Sequence, residues 1–252
     1  MDVTSLLSPT AAVCAAMVFA VAVLRGFTGF GFALVAVPLL SLVLAPIVAV
    51  PLVLLLEVVA SAQLLPKVWR QAQWRIVLML TGGAVLGTPL GLYGLSLLPT
   101  EVMRLAIAAV VLATALLMSA GLRFRHPPGR RMAVAAGMVS GVLNGGAAMS
   151  GPPVVLFFLA SPGAIAIGRA SLLLYFLLAD VIGAGLAAAS GLVTGEVLLL
   201  TAWLLPALFV GQAIGARQFR EDRQHAYRRV SILVLLAASL LSALRAAADI
   251  WG

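Results

Sequence analysis

Residues 25–32 read RGFTGFGF and residues 141–153 read GVLNGGAAMSGPP, and both stretches lie inside otherwise apolar runs of the chain. Glycine frees the backbone from the regular helix, while proline removes a donor and bends the chain. Within a membrane, backbone that leaves the helix is tolerated only where protein buries it or where it lines a wet cavity. The two stretches therefore predict broken or hairpin elements at residues 10–45 and 132–160.

Composition places the surrounding runs in a membrane. Of the 252 residues, 63% are apolar and 10% are charged, which lies far outside the range of a soluble domain. The runs are about 20 residues long, the length of helix that crosses about 30 Å of hydrocarbon. Because a spanning helix satisfies its backbone hydrogen bonds within one segment, we predict an all-α integral membrane protein.

The formal net charge of +8 comes mainly from basic residues in loops at helix ends. Such residues indicate contact with anionic lipid headgroups, and no nucleic-acid partner is predicted. Cys14 is the only cysteine and lies in an apolar run, so neither a disulfide framework nor a cysteine metal cluster is expected. We expect no metal and no cofactor. Only Asp2 precedes the first apolar run, which is therefore interpreted as a membrane segment and not as a cleaved signal peptide.

The order of the apolar runs recurs in two halves. The runs lie at 10–45, 46–65, 76–97 and 101–121, and then at 132–160, 168–190, 197–217 and 227–248. An offset of about 115 residues aligns Gly26 with Gly141, Gly31 with Gly146 and Pro38 with Pro153, and an offset of about 124 aligns Gly87 with Gly211 and Gly91 with Gly215. We predict a first repeat at 1–121, a basic connector at 122–131 and a second repeat at 132–252, each repeat with one glycine-rich broken or hairpin element and three transmembrane helices.

Basic loops predict the topology. Most lysines and arginines lie at 66–75, 122–131 and 217–229, and the positive-inside rule places such loops in the cytoplasm. The first basic loop then corresponds in the other half to an external loop near residue 195, so equivalent loops lie on opposite sides. This is the pattern of inverted-topology repeats, which many secondary transporters share. It predicts that 66–75, 122–131 and 217–226 are cytoplasmic and that both termini are external.

A small-anion site is predicted between the two glycine-rich elements. A half-helix that begins inside the membrane directs unpaired N–H groups and its positive dipole end at whatever precedes it. Thr28, Asn144 and Ser150 could add side-chain hydrogen bonds, and Arg25 could add a positive charge. The predicted substrate-binding residues are Arg25, Gly26, Thr28, Gly29, Gly31, Asn144, Gly145, Gly146, Ser150 and Gly151. Two alternatives stay open: the glycines could simply pack helices closely, and Arg25 could snorkel to an interface.

Two acidic residues, Glu57 and Asp180, lie near the middles of their apolar runs. A charged carboxylate at that depth costs on the order of 2.5 to 3.5 kcal/mol, so such residues are candidates for function. Both are coupling candidates, and either would be available to carry a coupled proton. The alternative is a protonated or hydrogen-bonded carboxyl that stabilises helix packing. The alignment does not make them equivalent, since Glu57 falls near Phe176 and Asp180 near Ser61.

The chain resembles the sulfite exporter TauE/SafE family of permeases over almost its whole length. The resemblance rests on residues 26–31, GFTGFG, followed by Pro38, and on Asn144, Gly145 and Gly146 followed by Pro153. It implies transport of sulfite, sulfoacetate or related small organic anions. The chain departs from the commoner glycine triplet in both halves, which leaves the particular substrate undetermined.

Together these features predict a secondary transporter, or permease, that moves a sulfite, an organosulfonate or a related organic anion. The predicted location is the cell membrane, which is the inner membrane if the organism is a Gram-negative bacterium. Its expected partners are that anion, membrane lipids and a coupled proton or other ion; a homo-oligomer stays open. An anion channel is the nearer alternative, because broken helices also build selectivity filters. An intramembrane enzyme is a weaker alternative. His126 and His225 are the only histidines, and both fall in predicted loops, so a buried serine–histidine pair is not expected. No GxxxxGK phosphate loop is present, so a gradient or a partner must supply the energy.

Overall fold

The computed structural model describes residues 9–28, 31–63, 65–120, 129–160 and 165–217. All secondary structure in these ranges is helical, which confirms the predicted all-α class for this part of the chain. The helices are α1 (Pro9–Thr28), α2 (Phe32–Leu40), α3 (Pro46–Ala62), α4 (Leu65–Val68), α5 (Trp74–Leu97), α6 (Thr100–Ala120), α7 (Arg130–Ala147), α8 (Gly151–Ala160), α9 (Ile165–Ala189) and α10 (Gly195–Arg217). The predicted apolar run at 227–248 and residues 122–128 of the predicted connector lie outside the described residues.

Four of the described helices are long and apolar enough to cross a membrane. They are Pro9–Gly26, Trp74–Leu97, Ala170–Ala189 and Gly195–Arg217. The outer face of α5 exposes Leu78, Leu86, Leu90 and Leu97, each by more than half of its surface. A row of exposed leucines is unfavourable in water and suits contact with lipid tails, so the exposed surface agrees with the membrane class.

Helices α5 and α7 pack with their backbones in contact. A Cβ atom added to Gly87 of α5 would lie 2.1 Å from the carbonyl oxygen of Met138, and one added to Gly141 of α7 would lie 2.4 Å from that of Ala84. Small residues permit such an approach because no side chain separates the two helices. Glycine at these positions is therefore required by packing.

Helix α1 packs on α10 in the same way. A Cβ atom on Gly26 would lie 2.2 Å from the carbonyl oxygen of Gln212 in α10, and one on Gly145 would lie 2.2 Å from that of Thr88 in α5. Gln212 and Thr88 are 124 residues apart, the offset predicted for α5 and α10. Gly26 and Gly145 thus make similar packing contacts, whereas the predicted alignment paired Gly26 with Gly141, one helical turn before Gly145.

Both glycine-rich stretches coincide with helix ends. Helix α1 ends at Thr28, and α2 begins at Phe32 after Gly31, whose φ of 85° favours glycine. Helix α7 ends at Ala147, Ala148 takes a left-handed φ of 53°, and α8 begins at Gly151. The chain turns back toward α7 after this point. The hydroxyl of Ser140 in α7 donates a hydrogen bond to the carbonyl oxygen of Ser150, ten residues later.

Candidate functional site

A cavity in the described part of the chain is lined by the starts of α2 and α8, the end of α1 and the middles of α3 and α9. Its lining residues are Arg25, Gly31, Ala33, Leu34, Glu57, Ala148, Met149, Ser150, Gly151, Phe176 and Asp180. Its volume is about 20 Å³, against the roughly 10 to 15 Å³ that a single water requires. An oxyanion larger than water can therefore enter only when the surrounding helices or side chains move apart.

Arg25 is the positive charge of this cavity. It lies in the last turn of α1 and is 3% exposed, so it does not snorkel to an interface. Its Nη1 donates to Oε2 of Glu57, and its Nη2 donates to Oγ of Ser61 at 2.8 Å. The guanidinium also lies 5.9 Å from the ring centroid of Phe32, within range of a cation–π contact. Its Nε has no hydrogen-bond partner among the described residues.

Glu57 has a partner for each of its carboxylate oxygens. While Oε2 accepts from Arg25, Oε1 accepts from the backbone N–H of Ala33 at 3.2 Å. Ala33 lies in the first turn of α2, where N–H groups have no partner within the helix and the dipole favours negative charge. The predicted anion position at the start of α2 therefore already contains an anion, the side chain of Glu57.

Asp180 of α9 is 1% exposed and has fewer partners. The side chain of Asn144 lies beside it, and Arg25, which lines the same cavity, is the positive charge that acts on it through space. Asn144 itself is fully buried, and its Nδ2 donates to the carbonyl oxygen of Ala179 at 2.8 Å. Oδ1 of Asp180 has no hydrogen-bond partner among the described residues.

The start of α8 is held by a chain of hydroxyl groups. Tyr175 of α9 donates to Oγ of Ser140 at 2.6 Å, and Ser140 donates to the carbonyl oxygen of Ser150. The second and third residues of α8 are Pro152 and Pro153, which have no N–H. Fewer backbone donors are therefore available at the start of α8 than at the start of α2.

Six of the predicted site residues line the cavity: Arg25, Gly31, Glu57, Ser150, Gly151 and Asp180. Gly26 and Gly145 instead contact the backbones of α10 and α5. These contacts agree with the alternative that the glycines pack helices closely. Gly146 lies beside Gly91 and Met103, and Asn144 reaches the cavity only through Asp180. Gly29 and the side chain of Thr28 lie outside the described residues.

Glu57 and Asp180 have similar surroundings, although the sequence alignment did not make them equivalent. Each lies on the helix that follows a glycine-rich pair, and each faces a buried polar side chain near the end of α1 or α7, Arg25 or Asn144. The partners are 119 residues apart and the carboxyls 123 apart, whereas the sequence alignment used a single offset near 119 for Glu57.

Sequence reasoning also missed Phe176, Ser61 and Tyr175. Phe176 lines the cavity, and Ser61 accepts a hydrogen bond from Arg25, which lines it too. Tyr175 acts one step further away, because it binds Ser140, which in turn binds Ser150 of the lining. A serine or an aromatic residue in an apolar helix has no distinguishing signal unless its helix face is known. Ser61 lies one turn after Glu57 and Phe176 one turn before Asp180, which would have identified them once the carboxyls were placed at the cavity.

The charges at the cavity limit what it can bind. One arginine faces two carboxyls, so with both carboxyls ionised the site has a negative formal charge and repels an anion. Within the described residues, no three of the His, Cys, Asp and Glu side chains group together as metal ligands. The site therefore suits an anion only after its own negative charge is reduced.

Comparison with known proteins identifies one family. The family model described as "Sulfite exporter TauE/SafE" matches residues 14–241, most of the chain. Comparison with curated proteins and with solved structures gives no match.

Proposed function

The chain belongs to the sulfite exporter TauE/SafE family, and on that premise we propose that it is a secondary transporter that moves a sulfite, an organosulfonate or a related small organic anion across the cell membrane. The proposed binding place is the cavity between the starts of α2 and α8. Its donors are the guanidinium of Arg25, the hydroxyl of Ser150 and the first backbone N–H groups of the two short helices.

The position of Arg25 is the main support for this proposal. A buried cation in a membrane helix is costly and is retained where it binds substrate or a counter-charge. Arg25 lines the cavity together with the starts of α2 and α8, so its positive charge and the dipoles of these two helices both favour an anion. Glu57 already makes the two contacts that a carboxylate or sulfonate substrate would make, one with Arg25 and one with the N–H of Ala33. An entering anion would share or replace these contacts.

Two inverted repeats would explain alternating access to this cavity. The proposal draws support from the paired contacts of Gly26 and Gly145, the paired positions of Glu57 and Asp180, and the reversed charge of equivalent loops. A site between two such repeats opens to one side and then to the other when one repeat rocks against the other. In this proposal residues 1–121 and 132–252 are the repeats, joined by 122–131, with both termini outside the cell.

A carrier fits the described cavity better than a channel does. The cavity has a volume of about 20 Å³, and Arg25 and Glu57, which are paired with each other, are part of its lining. A conducting pore requires a continuous path with weak, repeated binding sites, whereas a carrier closes around its ligand between openings. An enzyme is not proposed, because the family consists of transporters.

The test is a binding and flux assay on purified protein. Sulfite, sulfate, sulfoacetate, taurine and simple carboxylates are compared for binding in detergent and for uptake into proteoliposomes. We expect saturable uptake of at least one anion, weakened strongly in Arg25→Gln and less in Arg25→Lys, which keeps the charge but not the planar fork. Large unitary currents would favour a channel. Undiminished uptake in Arg25→Gln would place the anion site elsewhere.

A further inference from the structure

We infer that Asp180 is the residue that binds a coupled proton when the anion binds, and that Glu57 stays ionised as the fixed counter-charge of Arg25. This inference rests on the proposed anion transport. It adds the coupling ion, a proton, and it distinguishes between two carboxyls that the sequence left as equal candidates.

The two carboxyls differ in how fully their oxygens are bonded. Both oxygens of Glu57 accept hydrogen bonds from charged or helix-terminal donors, Arg25 and the N–H of Ala33. Asp180 has the neutral amide of Asn144 beside it and Arg25 acting on it through space without a hydrogen bond, and its Oδ1 has no partner among the described residues. A buried ionised carboxylate is stable only when it is paired and hydrogen-bonded. Glu57 meets that condition and Asp180 does not.

The sequence contains the reason for this difference. In the first half the residue that faces the carboxyl is Arg25, and in the second half it is Asn144, which has no charge. The second residue of α2 is Ala33, which donates its N–H to Glu57, whereas the second residue of α8 is Pro152, which has no N–H to donate. Asp180 therefore has neither a hydrogen bond from a charged donor nor one from a helix-terminal N–H, while Glu57 has both.

Titratable groups approach Asp180 from three helices, α1, α3 and its own helix α9. Arg25 of α1 and Glu57 of α3 line the same cavity, and Tyr175 of α9 acts on Asp180 through space while donating its hydrogen bond to Ser140. Helix α7 contributes the neutral Asn144, and α8 has no titratable residue. The titratable residues of α5, Arg75 and Tyr93, are both exposed, and the side chain of Lys67 in α4 lies outside the described residues.

The charges then link the proton to the anion. With Asp180 ionised, Arg25 is outnumbered by two carboxylates and an added anion would bring the site to a formal charge of minus two. Protonation of Asp180 removes one negative charge and converts an acceptor into an O–H donor that can bond the anion. The proton comes from the water on the side where the anion enters and returns to the water on the side where the anion leaves. By linkage, anion binding and protonation favour each other to the same degree.

The first experiment measures the dissociation constant of sulfoacetate for the purified full-length protein as a function of pH. Sulfoacetate is used because it stays fully ionised near neutral pH, so a pH effect belongs to the protein. For the wild type we expect the Kd to rise by up to about tenfold per pH unit once Asp180 ionises. In Asp180→Asn the Kd should be nearly independent of pH. Glu101→Gln, the same change of carboxyl to amide at the start of α6, should behave like the wild type.

The outcomes separate this inference from the proposed function. A wild type that binds neither sulfoacetate nor any other anion overturns both. A wild type whose anion binding does not depend on pH overturns the inference alone, as does pH-dependent binding that persists in Asp180→Asn.

A second measurement does not require any variant to fold. Infrared difference spectra are recorded for anion-bound minus anion-free wild type, grown with isotope-labelled aspartate or with isotope-labelled glutamate. Asp180 is the only aspartate among the described residues. We expect the band of a newly protonated carboxyl to shift with the aspartate label. A band that shifts only with the glutamate label would assign the proton to a glutamate and overturn the inference.

Discussion

Arg25 at the end of α1 and Glu57 in the middle of α3 form an ion pair whose side chains are only 3% and 9% exposed. The pair joins two helices that are separated by a glycine-rich break in the chain. Because neither charge is solvated by bulk water, each depends on the other and on Ser61 and Ala33. The pair is thus both part of the packing of the bundle and the charged part of the proposed anion site.

Removal of one member of this pair should destabilise the protein more than removal of both. We expect Arg25→Gln or Glu57→Gln alone to cost about 3 to 5 kcal/mol of folding free energy, because an uncompensated buried charge remains. The double variant should lose less than the sum of the two. Denaturant unfolding in detergent measures all three, and strictly additive losses would show that the charges are not coupled.

The backbone contact between α5 and α7 predicts that two adjacent glycines respond differently to alanine. A Cβ atom at Gly83 would lie 2.2 Å from the carbonyl oxygen of Val134, whereas Gly82 has nothing within 4 Å. Gly83→Ala should therefore force the helices apart and cost about 1 to 3 kcal/mol. Gly82→Ala should leave thermal stability in detergent unchanged or slightly higher. Equal effects of the two changes would contradict the packing.

A valine at Gly151 should reduce anion binding without unfolding the protein. A Cβ atom there makes only an ordinary contact of 3.8 Å with Phe176, so the added methyl groups project into the cavity. We expect the Kd for the transported anion to rise by about tenfold, equivalent to about 1.4 kcal/mol. Gly185→Val is the control, because Gly185 lies on an exposed helix face with nothing within 4 Å. Unchanged binding in Gly151→Val would remove the start of α8 from the site.

The hydroxyl of Tyr175 should contribute to the position of α8. Tyr175→Phe removes the donor to Ser140, whose own hydroxyl binds the carbonyl oxygen of Ser150. We expect a loss of about 0.5 to 1.5 kcal/mol in unfolding free energy, together with a weaker affinity for the anion. Tyr93→Phe serves as the control since Tyr93 is 65% exposed. A Tyr175→Phe variant with wild-type anion affinity would separate this hydroxyl chain from binding.

The topology can be tested with single cysteines at two exposed loop positions. Cys14 is fully buried, and a Cys14→Ser background removes it from the assay. A membrane-impermeant thiol reagent added outside intact cells should label Leu98→Cys and leave Gln71→Cys unlabelled until the membrane is opened. This follows from the basic loop at 66–75, which the positive-inside rule places in the cytoplasm. Outside labelling of Gln71→Cys in intact cells would reverse or refute the topology.

Local properties of the sequence determined the membrane class, the helical architecture and the places where α1 and α7 end. Apolar runs of about 20 residues require a bilayer, and the glycine-rich stretches coincide with helix ends at Thr28 and Ala147. Hydropathy also identified Arg25, Glu57 and Asp180 as candidate functional residues, because a charged residue inside an apolar run can be recognised without knowing its partners.

Only the tertiary structure decided which residues meet. Glycine recurs every four residues in α7, at Gly137, Gly141 and Gly145, so alignments of the two halves that differ by one turn match almost equally well. A shift of one turn moves a contact by about 5.4 Å along the helix and leaves the hydropathy unchanged. Arg25 pairs with Glu57, whereas Asp180 has no hydrogen bond from a charged residue. This difference depends on the position of each helix along its axis and on its rotation. Both are determined by packing between segments more than 30 residues apart, where a single sequence contains no signal.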